Sequence, residues 1–318
     1  MIVTRRLPTA VEEQLSRQFD AQLNTADRPF DATGLQHALR SADAVLCTVT
    51  DRLTADVLSA EPLRARILAN FGVGFNHIDL AAAKARGIVV TNTPEVLTDD
   101  TADDAVMLML MVARRAGEGE REVRAGGWTG WRPTHLLGTK VSGKTLGLVG
   151  MGRIARAVAR RAAGGFGMRI LYHDPVAPPA DALAGMNATA AASVDAVLRD
   201  ADFVSLHCPA TPETRHLIDA RRLALMKPSA FLINTARGDV VDEAALVAAL
   251  RAGTIAGAGL DVYEREPTVT PALLAMENVV LLPHLGSATQ ETRVAMGMRA
   301  IENLTAFFAG TPPRDRVV

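Results

Sequence analysis

The sequence predicts an α/β protein built on doubly wound parallel sheets. Three observations carry this. From Ile2 onward, short β-type runs alternate with longer stretches of helical periodicity. The runs are apolar almost throughout, as in parallel strands that crossover helices cover on both faces. The chain has 318 residues, 48% hydrophobic and 22% charged, enough for two domains of ordinary globular composition.

The β-type runs fall at 45–51, 65–70, 87–93, 146–150, 168–174, 202–209, 230–236, 258–263 and 279–283. Between the third and fourth, residues 101–120 are Ala- and Met-rich and apolar on most of a helical circumference, which predicts a buried helix. Residues 125–139 have no periodicity and carry Gly126, Gly127, Gly130 and Pro133 with both tryptophans, Trp128 and Trp131. They read as a long loop or arm whose indoles need cover, from another subunit or from the arm's own domain. Residues 177–197 read as an Ala-rich linker, and Gly164-Gly165 as a small loop variation.

The charge balance excludes several classes. The formal net charge is −1, so nothing drives the whole molecule toward nucleic acid or anionic lipid. Two cysteines, Cys47 and Cys208, each in an apolar run, suit a reducing compartment without disulfides. The N-terminus lacks a signal-peptide core, and the longest uncharged apolar run, 105–113, is far short of a membrane span. The expectation is a cytoplasmic protein with neither a nucleic-acid nor a membrane partner, and no metal is called for.

The strongest motif is GLVGMGRIA at 147–155, a strand running through GxGxxA into a helix that starts near Arg153. Gly150 permits the tight turn, Gly152 lets backbone N–H groups approach a pyrophosphate, and small Ala155 lets helix and strand pack closely. The helix N-terminus adds partial positive charge for phosphate. The next strand ends at Asp174, 22 residues after Gly152, where a carboxylate can accept both ribose hydroxyls of an adenosine and repel a 2′-phosphate. Residues 175–198 contain no Lys or Arg, so NAD is preferred to NADP. A plain strand-end turn before Pro175 also fits Asp174.

Three later strands end in chemistry-bearing residues: Thr235-Ala236-Arg237, then Asp261 with Glu264 and Glu266 beyond it, and His284 with Gly286-Ser287 after it. In a parallel sheet all strand C-termini share one rim, so Arg237, Glu266 and His284 converge there. A forked guanidinium binds a carboxylate and polarises a carbonyl. An imidazole donates a proton near neutral pH, and a carboxylate bonded to it keeps its acid form populated. The set fits reduction of a 2-oxo acid to a 2-hydroxy acid. Taken singly, each residue also has a plain structural account.

These residues resemble the D-isomer-specific 2-hydroxyacid dehydrogenase family over essentially the whole chain. The stretches are FGVGFNHID (71–79), GLVGMGRIA (147–155), LHCPATPETRHLI (206–218), INTARGDVVDE (233–243), GAGLDVYEREP (257–267) and LLPHLGSATQETR (281–293). The arm GWTGWRP at 127–133 looks most like the glyoxylate/hydroxypyruvate reductase branch.

The resemblance implies two doubly wound domains, flavodoxin-like and Rossmann, with the active site in the cleft between them. The first is discontinuous, 1–99 plus 286–318, and 100–285 binds NAD. Arg237, Glu266 and His284 become the catalytic trio, and the amides of Val73 and Gly74 hold the substrate carboxylate. Thr101, Ala236 and Asp261 border the nicotinamide, Arg153 and Ile154 the pyrophosphate, and Cys208, Pro209 and Thr214 the adenosine. Gly150, Gly152, Asp174, Thr235, Arg237, His284, Gly286 and Ser287 complete the cofactor set. The resemblance also implies a homodimer through the nucleotide domain, with Trp131 reaching the neighbouring subunit's active site. Several members of the branch prefer NADPH and carry Arg near the position of Asp174, so the residues here point to NADH against that trend. A dehydrogenase of bulkier D-2-hydroxy acids (lactate, phenyllactate, 3-phosphoglycerate) and an NAD-sensing binding protein like the C-terminal-binding-protein corepressors are the alternatives.

Overall fold

The computed structural model describes residues Met1–Val318 as two compact units, Met1–Leu97 with Ala288–Val318, and Thr98–Ser287. Both are parallel α/β units, as the apolar runs predict.

The first unit holds four parallel strands in the order β1 (Ile2–Val3), β2 (Ala44–Thr48), β3 (Ile67–Phe71) and β4 (Val89–Thr91). Gln22 forms a single parallel bridge to Ile2 outside β1, so the order has the flavodoxin pattern with its edge strand reduced to one residue. β2 and β3 are buried along their whole length, which is why they read as unbroken apolar runs. The helices Ala32–Ser41 and Leu80–Ala85 cover one face through Leu35, Leu39 and Ala83. The helix Gln290–Phe308 lies against β3, and Val317 donates its N–H to Val90 O at 2.7 Å.

The second unit carries seven parallel strands: β5 (Thr145–Val149), β6 (Arg169–His173), β7 (Ala188–Ala190), β8 (Phe203–Leu206), β9 (Phe231–Asn234), β10 (Gly257–Leu260) and β11 (Val279–Leu281). Their order is β7-β6-β5-β8-β9-β10-β11, with the topological switch between β5 and β8. One apolar cluster, with Leu108, Met109, Val158 and Phe203, fills one face, and a second, with Leu198, Leu232, Leu246 and Leu260, fills the other.

Three expectations are corrected. Residues 101–120 form two helices, Thr98–Ala113 and Ala116–Arg124, because Arg115 turns left-handed at φ 52° and the Ala113 carbonyl accepts from Thr139 N at 2.7 Å. The second of these helices buries no residue. The stretch 177–197 is not a plain linker: it holds a turn of 3₁₀ helix at Ala180–Leu183, the edge strand β7, and the start of the helix Val194–Asp200. β7 pairs on one side only and is largely exposed, so it lacks the apolar signature. Gly164 and Gly165 lie within the helix Arg153–Phe166, not in a loop. No helix is long and apolar enough to cross a membrane.

Candidate active site

The turn after β5 is shaped by two glycines. Gly150 has φ +93°, and a Cβ there would stand 2.8 Å from the His207 carbonyl carbon and oxygen, so no side chain fits. Gly152 caps the helix Arg153–Phe166 with no side-chain hydrogen bond, and open space lies where its Cβ would be. Arg153 is exposed, Ile154 is half-buried against the core, and Ala155 is fully buried beneath them. An uncapped helix start above an open glycine leaves N–H donors for an anion, which is what a dinucleotide pyrophosphate requires.

Asp174, just after β6, accepts Met151 N on Oδ2 at 2.7 Å and Val176 N on Oδ1 at 2.8 Å. The carboxylate is thus tied to the glycine turn, and each oxygen keeps a lone pair for a hydroxyl. Across the switch point, Cys208 and Pro209 follow β8, and burial pushes the Cys208 thiol up to about 11. The Thr214 hydroxyl donates to Pro209 O at 2.6 Å and accepts Thr211 N at 2.8 Å, which closes that loop.

The chain after β9 is folded by Asn234, whose amide donates to Arg237 O at 2.9 Å while its oxygen accepts Ala236 N at 3.0 Å. Thr235 is buried between them with no partner for its hydroxyl. Gly238 then presses against the Tyr263–Glu264 backbone so closely that a Cβ would overlap the Tyr263 carbonyl. This contact sets Arg237 within the field of Glu266. Burial lowers the Arg237 guanidinium from its ordinary value while Glu266 and Asp239 act the other way, and arginine stays charged regardless.

Glu266 accepts Tyr263 N on Oε1 at 3.1 Å, and its Oε2 lies 2.8 Å from His284 Nδ1. Burial favours the neutral carboxyl, but the His284 bond and charge, the Tyr263 amide and Arg237 outweigh it, so Glu266 titrates below its usual range. His284 itself is a non-glycine residue at φ 56°, a conformation that must be held from outside. Its N–H donates to Asp261 O at 2.9 Å, and the Asp261 carboxylate accepts Leu285 N at 2.6 Å and Gly286 N at 2.9 Å. From the helix Thr98–Ala113, Thr101 donates its hydroxyl to Gly286 O at 2.8 Å. Ser287, half-buried, ends the unit.

The NAD-binding domain of D-isomer-specific 2-hydroxyacid dehydrogenases matches residues 106–286. A glyoxylate reductase from Thermococcus litoralis is 43% identical over 322 aligned residues, covering 100% of this chain and 96% of that protein. The chain belongs to the D-isomer-specific 2-hydroxyacid dehydrogenase family. Among solved structures, a Polaromonas NAD-binding protein assigned to the same dehydrogenases superposes with a TM-score of 0.92 at 37% identity, covering 100% of this chain and 98% of that one. An NADPH-dependent glyoxylate/hydroxypyruvate reductase from Sinorhizobium meliloti, in complex with NADP and malonate, gives 0.88 at 38% identity, covering 100% and 96%. This 2-hydroxyacid dehydrogenase is therefore an oxidoreductase of the CH–OH/C=O couple that uses NAD or NADP.

In the first unit of the dehydrogenase, Val73 and Gly74 follow β3 in a loop where asparagines hold the carbonyls of Gly72, Val73 and Gly74. Asn70 donates to Gly72 O and Gly74 O, both at 3.0 Å, and Asn92 donates to Val73 O at 2.9 Å. The Val73 and Gly74 amides donate to no protein acceptor, which leaves them for an anion. Trp131 is 82% exposed and Trp128 54%, so the arm does not bury its indoles on its own domain. The arm docks instead through Gly127, whose N–H donates to Glu122 O at 2.9 Å, through His135, 2.8 Å from Glu122, and at its base, where Gly138 meets the Ala113 carbonyl.

Five residues that shape the site of this dehydrogenase escape a motif reading. Asn70, Asn92 and Asn234 fold its loops, Tyr263 offers the amide that orients Glu266, and Asp104 is buried beside Asp261. The asparagines stand at or just beyond strand ends, a position that could have singled them out, whereas Asp104 carries no local signal.

Proposed function

We propose that this dehydrogenase reduces a small 2-oxo acid of the glyoxylate or hydroxypyruvate kind to the D-2-hydroxy acid, with NADH preferred to NADPH. The observation that carries the reading is the Glu266–His284 hydrogen bond, in the same unit as Arg237 and the glycine turn. The names of its relatives support the small acid. Asp174 supports NADH, because a carboxylate already committed to two amides repels a 2′-phosphate.

The glycine turn, the helix start at Arg153 and Ile154, and Asp174 hold the pyrophosphate and ribose. Cys208, Pro209 and Thr214 border the adenosine; Thr101, Thr235, Ala236, Asp261, Gly286 and Ser287 border the nicotinamide. Bound cofactor supplies or accepts the hydride. Arg237 binds the substrate carboxylate and polarises the C2 carbonyl, and the Val73 and Gly74 amides share the carboxylate. Glu266 engages Nδ1 of His284 and orients the ring, so that Nε2 delivers the proton to the carbonyl oxygen in reduction and takes it back in oxidation.

The exposed Trp128, Trp131 and Leu137 support a homodimer through the second unit, with Trp131 turned toward the partner's site. Two free cysteines support a cytoplasmic setting.

The test is initial rates of cofactor oxidation with glyoxylate, hydroxypyruvate, pyruvate and phenylpyruvate, each with NADH and NADPH. Fast turnover of the two small acids with NADH is expected, and His284→Ala should lower kcat by about 10²–10⁴-fold while NADH still binds. Equal rates with NADPH would overturn the cofactor preference. Preference for phenylpyruvate would favour a bulkier acid, and no turnover of any acid would favour a binding protein.

A further inference from the structure

Asp104 is a buried acid that the proposed reaction does not use. It lies on the helix Thr98–Ala113, one turn after Thr101, at 6% exposure, and no N–H donates to either of its carboxyl oxygens. Its helix packs against β10, and Asp261, just past the end of that strand, acts on Asp104 by charge and as a side-chain hydrogen-bond partner. Two carboxylates in contact at a dry site cannot both be charged, so one proton is held between them. Asp261 already receives two N–H bonds, from Leu285 and Gly286, whereas Asp104 receives none. The proton therefore belongs to Asp104, and the O–H donates to Asp261.

We infer that Asp104 is a positioning residue: as the neutral acid it donates to Asp261 and so holds in place the His284–Gly286 turn, which starts at left-handed His284. The same helix grips that turn twice. Thr101 takes the Gly286 carbonyl directly at 2.8 Å, and Asp104 secures the carboxylate that takes the Leu285 and Gly286 amides. A Cβ on Gly286 would lie 3.3 Å from Thr101 Cγ2 and 3.4 Å from Asp261 Oδ2, so the turn is close-packed between them.

The charged groups facing the pair are few. Asp261 faces Asp104 from β10, and His284 faces both acids from the turn after β11. Glu266 and Arg237 act one step further out, through His284 and on each other. On its own helix, Asp100 lies one turn earlier, while Asp99 and Asp103 turn outward to Arg161. Burial first, then the charge and bond of Asp261, push Asp104 up to about 7, against His284. Above that pH the second carboxylate appears, the two repel, and Asp261 loses its hold on the turn.

The inference rests on the proposed function for its link to turnover, but the proton can be tested without it. Asp104→Asn keeps an N–H donor and cannot ionise. Between about pH 4 and 7 the unfolded wild-type chain sheds the Asp104 proton while the folded chain retains it, so wild-type stability falls with rising pH relative to the variant. The difference in unfolding midpoint between Asp104→Asn and wild type should widen by about 5 °C from pH 4.5 to 8. In the assay of oxo acid reduction, the alkaline fall of kcat should move up by about half a pH unit or more in Asp104→Asn, and Asp104→Leu should lose about tenfold in kcat at pH 6 where Asp104→Asn does not.

Parallel midpoint curves would show that no proton is held, and the inference would fall. A widening difference with superimposable kcat profiles would remove the link to His284. If no oxo acid is reduced, the function and that link fall together, and the midpoint curves still decide the proton.

Discussion

Glu266 divides its carboxylate between the Tyr263 amide and Nδ1 of His284, so the imidazole that faces the reaction is oriented through only one of its two ring nitrogens. Nε2 has no protein partner. Glu266→Gln removes the charge while keeping the shape. A neutral acceptor then replaces the charged one at His284 Nδ1, and kcat should fall about tenfold while KM for NADH holds. Steady-state kinetics at saturating NADH measure this. An unchanged kcat would mean that turnover does not use the charge of Glu266.

Gly238 makes the approach of the Arg237 loop to Tyr263 possible. Gly238→Ala must force apart two loops that each carry a site residue, and should cost about 2–3 kcal/mol of stability, together with a loss in kcat/KM for the oxo acid. Denaturant titration of wild type and variant reads the first effect. A wild-type midpoint would show that the loop yields without penalty.

Asp174→Ala takes away the acceptor of the Met151 and Val176 amides along with the ribose contact. KM for NADH should rise about tenfold, and the preference over NADPH should shrink by a similar factor, since the repulsive charge is gone. An unchanged NADH/NADPH ratio would mean that discrimination lies elsewhere in the cradle.

What could be read from the sequence follows burial. β2, β3, β5, β8 and β9 are covered on both faces and appear as apolar runs whose type is unambiguous. Asp174, Arg237, Asp261 and His284 were legible because each follows a strand end, and the rim of a parallel sheet is where chemistry concentrates. β7 was not legible, since an exposed edge strand of Ala-Thr-Ala has no pattern to show. The break at Arg115 was not legible either, because the contact that accompanies it comes from Thr139, 24 residues further along the chain. Asp104 hides for a related reason: three-to-four-residue periodicity assigns an acid to solvent, and only the tertiary placement of Asp261 makes a buried one tolerable.

The helix Gln290–Phe308 buries Met296, Ala300, Ile301 and Leu304 in a unit whose other strands and helices end at Leu97. During synthesis, the first 97 residues emerge without the cover that β3 needs, and the 190 residues of the second unit must be made before it arrives. At about 5–20 residues per second, that is a delay of about 10–40 s. The nucleotide unit, contiguous in the chain, is free to fold first, while the nascent N-terminal sheet waits with one apolar face open, the interval in which a chaperone has most to bind.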